Sequence, residues 1–206
     1  MLSRSLATVL TAAIAGSLGA VGELTPPVVP TVLAQEFRNH VRADHSDVVS
    51  RVYDRVTDST LVAAALSSTS RPFGLGSTVW LLASFSFPGG RLLAPPAFAE
   101  LSLESWTQSR GGWAFAHPRE LRVEAGKTRL ATIPASEYVK RPVYVFDRGR
   151  REELAFRIGA DQLAALAGQP ELVLKAGGAT IRLDTRRMAK LRAFVGEMTV
   201  HERAPR

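Results

Sequence analysis

The chain reads as a mainly β protein of the α+β type, a twisted antiparallel sheet, sandwich or open barrel with two short helices near the C-terminus. Three observations predict this. In residues 78–87, Val79, Leu81, Ala83, Phe85 and Phe87 occupy alternate positions with Ser84 and Ser86 between them, the period-two pattern of a half-buried strand. Short apolar segments recur along the chain with glycine or proline between them. Helical spacing is clear only in two stretches beyond residue 160.

Residues 35–58 form a polar lead-in, in which Val41, Val48, Val49, Val52 and Tyr53 fall near helical spacing. A single globular domain is expected over 59–198, with a frayed tail at 199–206. Its first strand is the apolar run 59–67, bounded by Asp58 and by Ser, Arg and Pro beyond. Residues 78–87 follow, ended by Pro88, Gly89 and Gly90. After a loop through Pro95 and Pro96, Leu101 and Leu103 alternate with Ser102 and Glu104 over 101–107. Short extended pieces then fall at 113–116, 121–124 and 128–133, the last two separated by Gly126.

Residues 143–146 and 153–158 flank Asp147–Arg150, which suits a tight turn, and Leu154, Phe156 and Ile158 share one face. Residues 161–167 form a helix with Leu163, Leu166 and Ala167 inward, stopped by Gly168 and Pro170. A second hairpin pairs Leu172 and Leu174 with Ile181 and Leu183 across Gly177 and Gly178, leaving Lys175 and Arg182 outside. Asp184 or Thr185 then caps a helix to about Val195 that buries Met188, Leu191 and Val195.

The N-terminus carries an address. Arg4 precedes an uncharged run of small and apolar residues over 5–22 that stops at Glu23, the order of a secretory signal peptide covering residues 1–34. Small residues suit cleavage after Ala20 or Ala34, and Pro26, Pro27 and Pro30 keep the second site extended, which favours Ala34. The run is rich in Ala, Gly, Ser and Thr, so no stable transmembrane span is expected after cleavage. The lack of an arginine pair before it favours the general secretory route. The chain is expected in the periplasm or outside a bacterial cell.

Composition narrows the class. Apolar residues make up 46% and charged residues 22%, ordinary globular usage for a chain of 206 residues. The absence of cysteine excludes disulfides, thiolate metal sites, a cysteine nucleophile and lipidation at a mature N-terminal cysteine. The formal charge is +7, and all but four of the 26 basic residues are arginine. A GC-rich coding bias explains that excess better than a polyanion-binding role, because Arg148, Arg150 and Arg151 run straight into Glu152 and Glu153.

No motif in the chain specifies a reaction. His40, His45, His117 and His201 lack a second ligand at metal-binding spacing, and the glycines at 74–76 and 177–178 are too few for a phosphate cradle. Neither metal, cofactor nor nucleotide is expected, and nucleic acid is not a favoured partner. Glu152 and Glu153, neighbours on one strand, point to opposite faces and read as solvated edge residues, as do Glu120 and Glu124. The ligand-binding candidates are Trp80, Trp106 and Trp113, aromatics able to line an open β face, with Arg110, Arg119, Arg122 and Arg129 interleaved. Trp80 falls on the polar face, opposite Phe85 and Phe87.

These features point to an exported, non-enzymatic β-rich binding or structural module that meets an envelope or extracellular partner. Two alternatives stand beside it. One is a hydrolase of envelope or extracellular polymer using His117 and nearby acids. The other is a polyanion-binding surface protein, which needs Arg110, Arg119, Arg122 and Arg129 on one face.

Overall fold

The computed structural model of the chain describes residues 49–70, 77–107, 115, 117–143 and 149–199. Among the described residues ten strands form two antiparallel sheets, and neither closes into a barrel. The larger sheet holds β1 (Ser50–Asp54), β2 (Ser59–Ser70), β3 (Ser77–Pro88), β4 (Phe98–Thr107), β7 (Glu137–Val143) and β8 (Gly149–Gly159), in the order β1-β2-β3-β4-β8-β7. The smaller holds β5 (Glu120–Ala125), β6 (Thr128–Pro134), β9 (Leu172–Ala176) and β10 (Ala179–Leu183), in the order β10-β9-β5-β6. Helices α1 (Ala160–Ala167) and α2 (Thr185–Glu197) complete it.

Period-two alternation builds the core. Val79, Leu81, Ala83, Phe85 and Phe87 of β3 share a face with Leu101 and Leu103 of β4 and with Leu154, Phe156 and Ile158 of β8. That face meets Leu121 and Val123 of β5, Leu172 and Leu174 of β9, and Ile181 and Leu183 of β10 in one continuous apolar cluster. Burying such side chains contributes about 1.5–3 kcal/mol each, which makes this cluster the main source of stability. A bulge between Ala65 and Ser67 shifts the phase of β2, so that Ser68 lies opposite Trp80.

Both helices dock on the same core. α1 follows β8 without a break and buries Leu163, Leu166 and Ala167. α2 begins where the Asp184 carboxylate accepts the Arg187 backbone N–H at 3.0 Å, a cap that contributes about 1 kcal/mol. Its inward residues are Met188, Leu191 and Phe194, and the Phe194 ring meets Phe85 edge-on at 5.4 Å. Phe194 takes the fully buried position of this stripe, and Val195, expected there, is half-buried and packs against the same core. No helix among the described residues is long and apolar enough to cross a membrane.

Further differences from the sequence reading concern β1, β7 and the start of β8. β1 falls inside the segment read as a polar lead-in, and the turn after it is held by Asp54, whose carboxylate accepts from the Val56 N–H and the Thr57 hydroxyl at 2.8 Å each. β7 carries the first arm of the hairpin to β8, earlier in the chain than expected. Gly149 and Arg150 are paired strand residues and no part of a turn. Residues 1–48 and 144–148 lie outside the described residues, and with them the signal segment, His40, His45 and most of the expected 143–146 strand.

Candidate functional site

β4 and β8 pair along their whole length, and antiparallel partners share a face. Ser105 opposes Glu152 on the inner face, which carries the core. On the outer face Glu104 opposes Glu153 and Trp106 opposes Arg151. β3 adds Trp80 directly opposite Glu104, so Trp80 and Trp106 are diagonal neighbours on adjacent strands. The alternation that buries Leu81 and Leu103 therefore places Trp80, Trp106, Glu104, Glu153 and Arg151 on the opposite side of the sheet, where Arg141 of β7 stands in register with Arg151.

The charges are tightly arranged. Arg151 Nη2 donates to Glu104 Oε2 at 2.9 Å and lies 4.0 Å from Glu153 Oε2. Glu104 is only 2% exposed although it stands on an outer face. Two like charges directly opposite each other on neighbouring strands repel, and Arg151 offsets that repulsion. Beside them, Ser102 is 1% exposed and its Oγ has no hydrogen-bond partner among the described residues. Trp106 is 50% exposed and Trp80 is half-buried, so the patch passes from a buried polar floor to an open aromatic rim.

The patch sits at one end of the larger sheet. Ser77 pairs with Thr107, Thr107 with Arg150, and Val143 with Gly149, so the strand ends flanking residues 71–76, 108–114 and 144–148 all lie there. Trp113 and Arg110 belong to 108–114 and lie outside the described residues.

A second polar group occupies the inner face of the same strands. Glu152 is 1% exposed, which corrects its reading as a solvated edge residue. Its Oε1 accepts the Tyr138 hydroxyl at 2.7 Å and the Phe115 backbone N–H at 3.3 Å. Burial, reinforced by that hydrogen bond to a carboxylate, pushes the Tyr138 phenol well above its ordinary range. The Arg119 guanidinium lies 4.4 Å from the centre of the Tyr138 ring and the Lys140 ammonium 5.2 Å. Glu152 and Glu153 do point to opposite faces, but each belongs to a polar cluster.

The remaining candidates are dispersed. Arg122 and Arg129 lie on the outward side of the smaller sheet, where Arg122 Nε donates to Glu120 at 2.6 Å and Arg129 stands opposite Glu124. Lys175 holds Glu124 at 2.7 Å, and that hydrogen bond keeps the Glu124 carboxyl below the usual carboxylate range. Arg119, Arg122 and Arg129 do not share the face of Trp80 and Trp106. His117 is exposed and makes no hydrogen bond or ion pair to a carboxylate among the described residues. Among those residues no group of three His, Asp or Glu side chains is placed to hold a metal ion.

Sequence reasoning selected Trp80 and Trp106 but missed Glu104, Arg151 and Glu153. The signal for Glu104 was present, since it lies two residues before Trp106 in the polar phase of an alternating strand. Fold and site define a mainly β, two-sheet protein with an aromatic and charged patch on the outer face of its larger sheet. No family model, characterised protein or solved structure matches the chain, so this geometry carries the functional reading.

Proposed function

We propose that the protein is an exported, non-enzymatic β-rich binding module of the bacterial envelope or exterior, and that it engages its partner through the outer-face patch. One observation carries the reading: Trp80 and Trp106 lie together beside the Glu104–Arg151–Glu153 cluster, with Trp106 open to solvent. Exposed tryptophan next to pre-positioned, partly desolvated charge is the composition of a recognition surface. Export rests on the signal-like segment at residues 1–34.

The test uses protein recovered from a secreting bacterial host. Intact mass and fractionation should give a species beginning at Gln35 in periplasm or medium, and a full-length species held in cytoplasm or membrane would overturn export. Co-sedimentation with isolated cell envelopes should be weakened about tenfold by Trp106→Ala. Undiminished sedimentation of that variant would overturn the patch.

A hydrolase of envelope or extracellular polymer is the second reading, and the side-by-side placement of Glu104 and Glu153 favours it. Against it, a general acid is a carboxyl buried away from cations, whereas Arg151 touches Glu104 and approaches Glu153. Release of reducing ends from polymer by the wild type but not by Glu153→Gln would establish the hydrolase and displace the non-enzymatic reading.

A further inference from the structure

The end of the larger sheet opposite the Trp106 patch carries a surface of another kind. Asp54 pairs with Ser59, Ser59 with Pro88, and Phe98 with Gly159, so the β1–β2 turn, the loop 89–97 and the start of β4 all lie there. We infer that this end docks on an anionic lipid bilayer, with Val56 and Leu93 inserted among the lipids and Tyr53 and Phe98 at the level of the headgroups.

Exposure singles this end out. Of the six large apolar side chains exposed among the described residues, four are here: Tyr53, Val56, Leu93 and Phe98. Scattered singly such residues are ordinary, but these are gathered on two neighbouring connections. Val56 is 91% exposed and Leu93 81%, so each stands clear of the fold. The arrangement is held in place. Gly89 N–H donates to the Asp58 carbonyl at 2.7 Å and ties loop to turn, while the Thr60 hydroxyl donates to the Gly89 carbonyl at 2.6 Å. At the far end of the loop Ala160 N–H donates to the Ala97 carbonyl at 3.0 Å. Between these ties Leu92 packs against the core, and its neighbour Leu93 is left outside.

Two features favour lipid over a folded partner. Backbone polar groups that enter a bilayer must be satisfied from within the protein, and the bonds just named, with Val56 N–H held by the Asp54 carboxylate, meet that demand at these positions. Nearly bare aliphatic tips beside half-exposed aromatic rings and arginines also match the composition of a membrane interface. Arg55 and Arg91 adjoin the tips in sequence, and the Arg157 guanidinium lies 4.0 Å from the centre of the Phe98 ring.

Charge sets the kind of bilayer. Around the tips Arg55 and Arg91 are met by Asp54 and Asp58, and farther back Arg51 and Arg157 are met by Glu100 and Asp161, so the end itself is close to neutral and apolar contact drives insertion. The chain as a whole carries +7, and loss of residues 1–34 leaves that value unchanged because Arg4 and Glu23 cancel. That excess draws the protein toward anionic lipid.

The test is sedimentation of the exported protein with vesicles of mixed phosphatidylcholine and phosphatidylglycerol, and with phosphatidylcholine alone. Leu93→Ser, Val56→Ser/Leu93→Ser and Trp106→Ala are compared with wild type, after thermal unfolding shows that each remains folded. The expected result is binding to the mixed vesicles, weaker on phosphatidylcholine alone. Leu93→Ser should weaken it about tenfold and the double variant about a hundredfold, with Trp106→Ala unchanged. Vesicle binding equal in wild type and the double variant, and abolished by salt, would be the attraction of a basic chain alone and would overturn the inference. Weakening by Trp106→Ala in place of Leu93→Ser would move lipid contact to the other end of the sheet and overturn it too. Absence of vesicle binding, with Leu93→Ser still reducing sedimentation with cell envelopes, would give this end a protein or glycan partner in place of lipid. None of these outcomes bears on the outer-face patch except the second, so the two readings stand or fall separately.

Discussion

Replacing Arg151 by alanine tests whether the outer-face cluster is a built, desolvated arrangement or a loose surface pair. The Glu104 side chain is almost wholly buried, and Arg151 donates to it at 2.9 Å while remaining one-fifth exposed. Removing one partner of a fully buried pair costs about 3–5 kcal/mol, and an exposed pair contributes at most about 1 kcal/mol. With one partner dry and the other partly wet, Arg151→Ala should cost about 3 kcal/mol. For a domain of this size that corresponds to a fall of about 6–12 °C in Tm. Thermal and urea unfolding followed by far-UV circular dichroism at pH 7 measures the loss. Glu104→Gln combined with Arg151→Ala should recover part of it, since the buried carboxylate that Arg151 offsets is then neutral, with a coupling of about 1–3 kcal/mol. A single-mutant cost below about 1 kcal/mol, or strictly additive effects in the cycle, would refute the argument that Glu104 is desolvated and depends on Arg151.

Three other perturbations probe the scaffold. Tyr138→Phe removes the hydroxyl that donates to buried Glu152 and should cost about 2 kcal/mol at neutral pH, measured by urea unfolding. The same variant has a pH signature. A phenol held above its ordinary value stabilises the fold fully below about pH 10, where unfolded tyrosine ionises, and that contribution is lost as pH rises through the folded value. Wild type should therefore lose stability above about pH 10 more steeply than Tyr138→Phe, and parallel alkaline profiles would contradict the Tyr138–Glu152 bond. Phe194→Ala should cost about 3–5 kcal/mol in Tm or denaturant assays, because its ring is fully buried against Phe85. Asp184→Ala should cost about 1 kcal/mol in thermal unfolding through loss of the α2 cap and leave co-sedimentation with cell envelopes unchanged.

The parts of the fold legible in the sequence are those whose cause is local. Alternation named the buried face of β3, and the hairpin of β9 and β10 was marked by Gly177, which adopts φ 54° in the turn. Asp184 and Thr185 announced the start of α2 for the same reason, because a cap is a contact across three residues, and Asp184 is the one that makes it. β1 and β7 were hidden. β1 is five residues long, and β7 mixes Glu137, Lys140, Arg141 and Pro142 into its sequence, so its place depends on pairing with β8.

The site was hidden for a similar reason, since Glu104 and Arg151 stand 47 residues apart and meet only through the β4–β8 register. That register is itself set by the core. Leu154 and Phe156 must oppose Leu103 and Leu101 to reach the buried face, and a slip of one residue would turn both out of it. Once those two pairs are in place, Glu153 can only oppose Glu104 and Arg151 can only oppose Trp106. The outer-face patch is thus positioned by apolar residues on the reverse side of the same strands. A substitution such as Phe156→Ala should therefore weaken binding through loss of that register, although Phe156 never touches the ligand face.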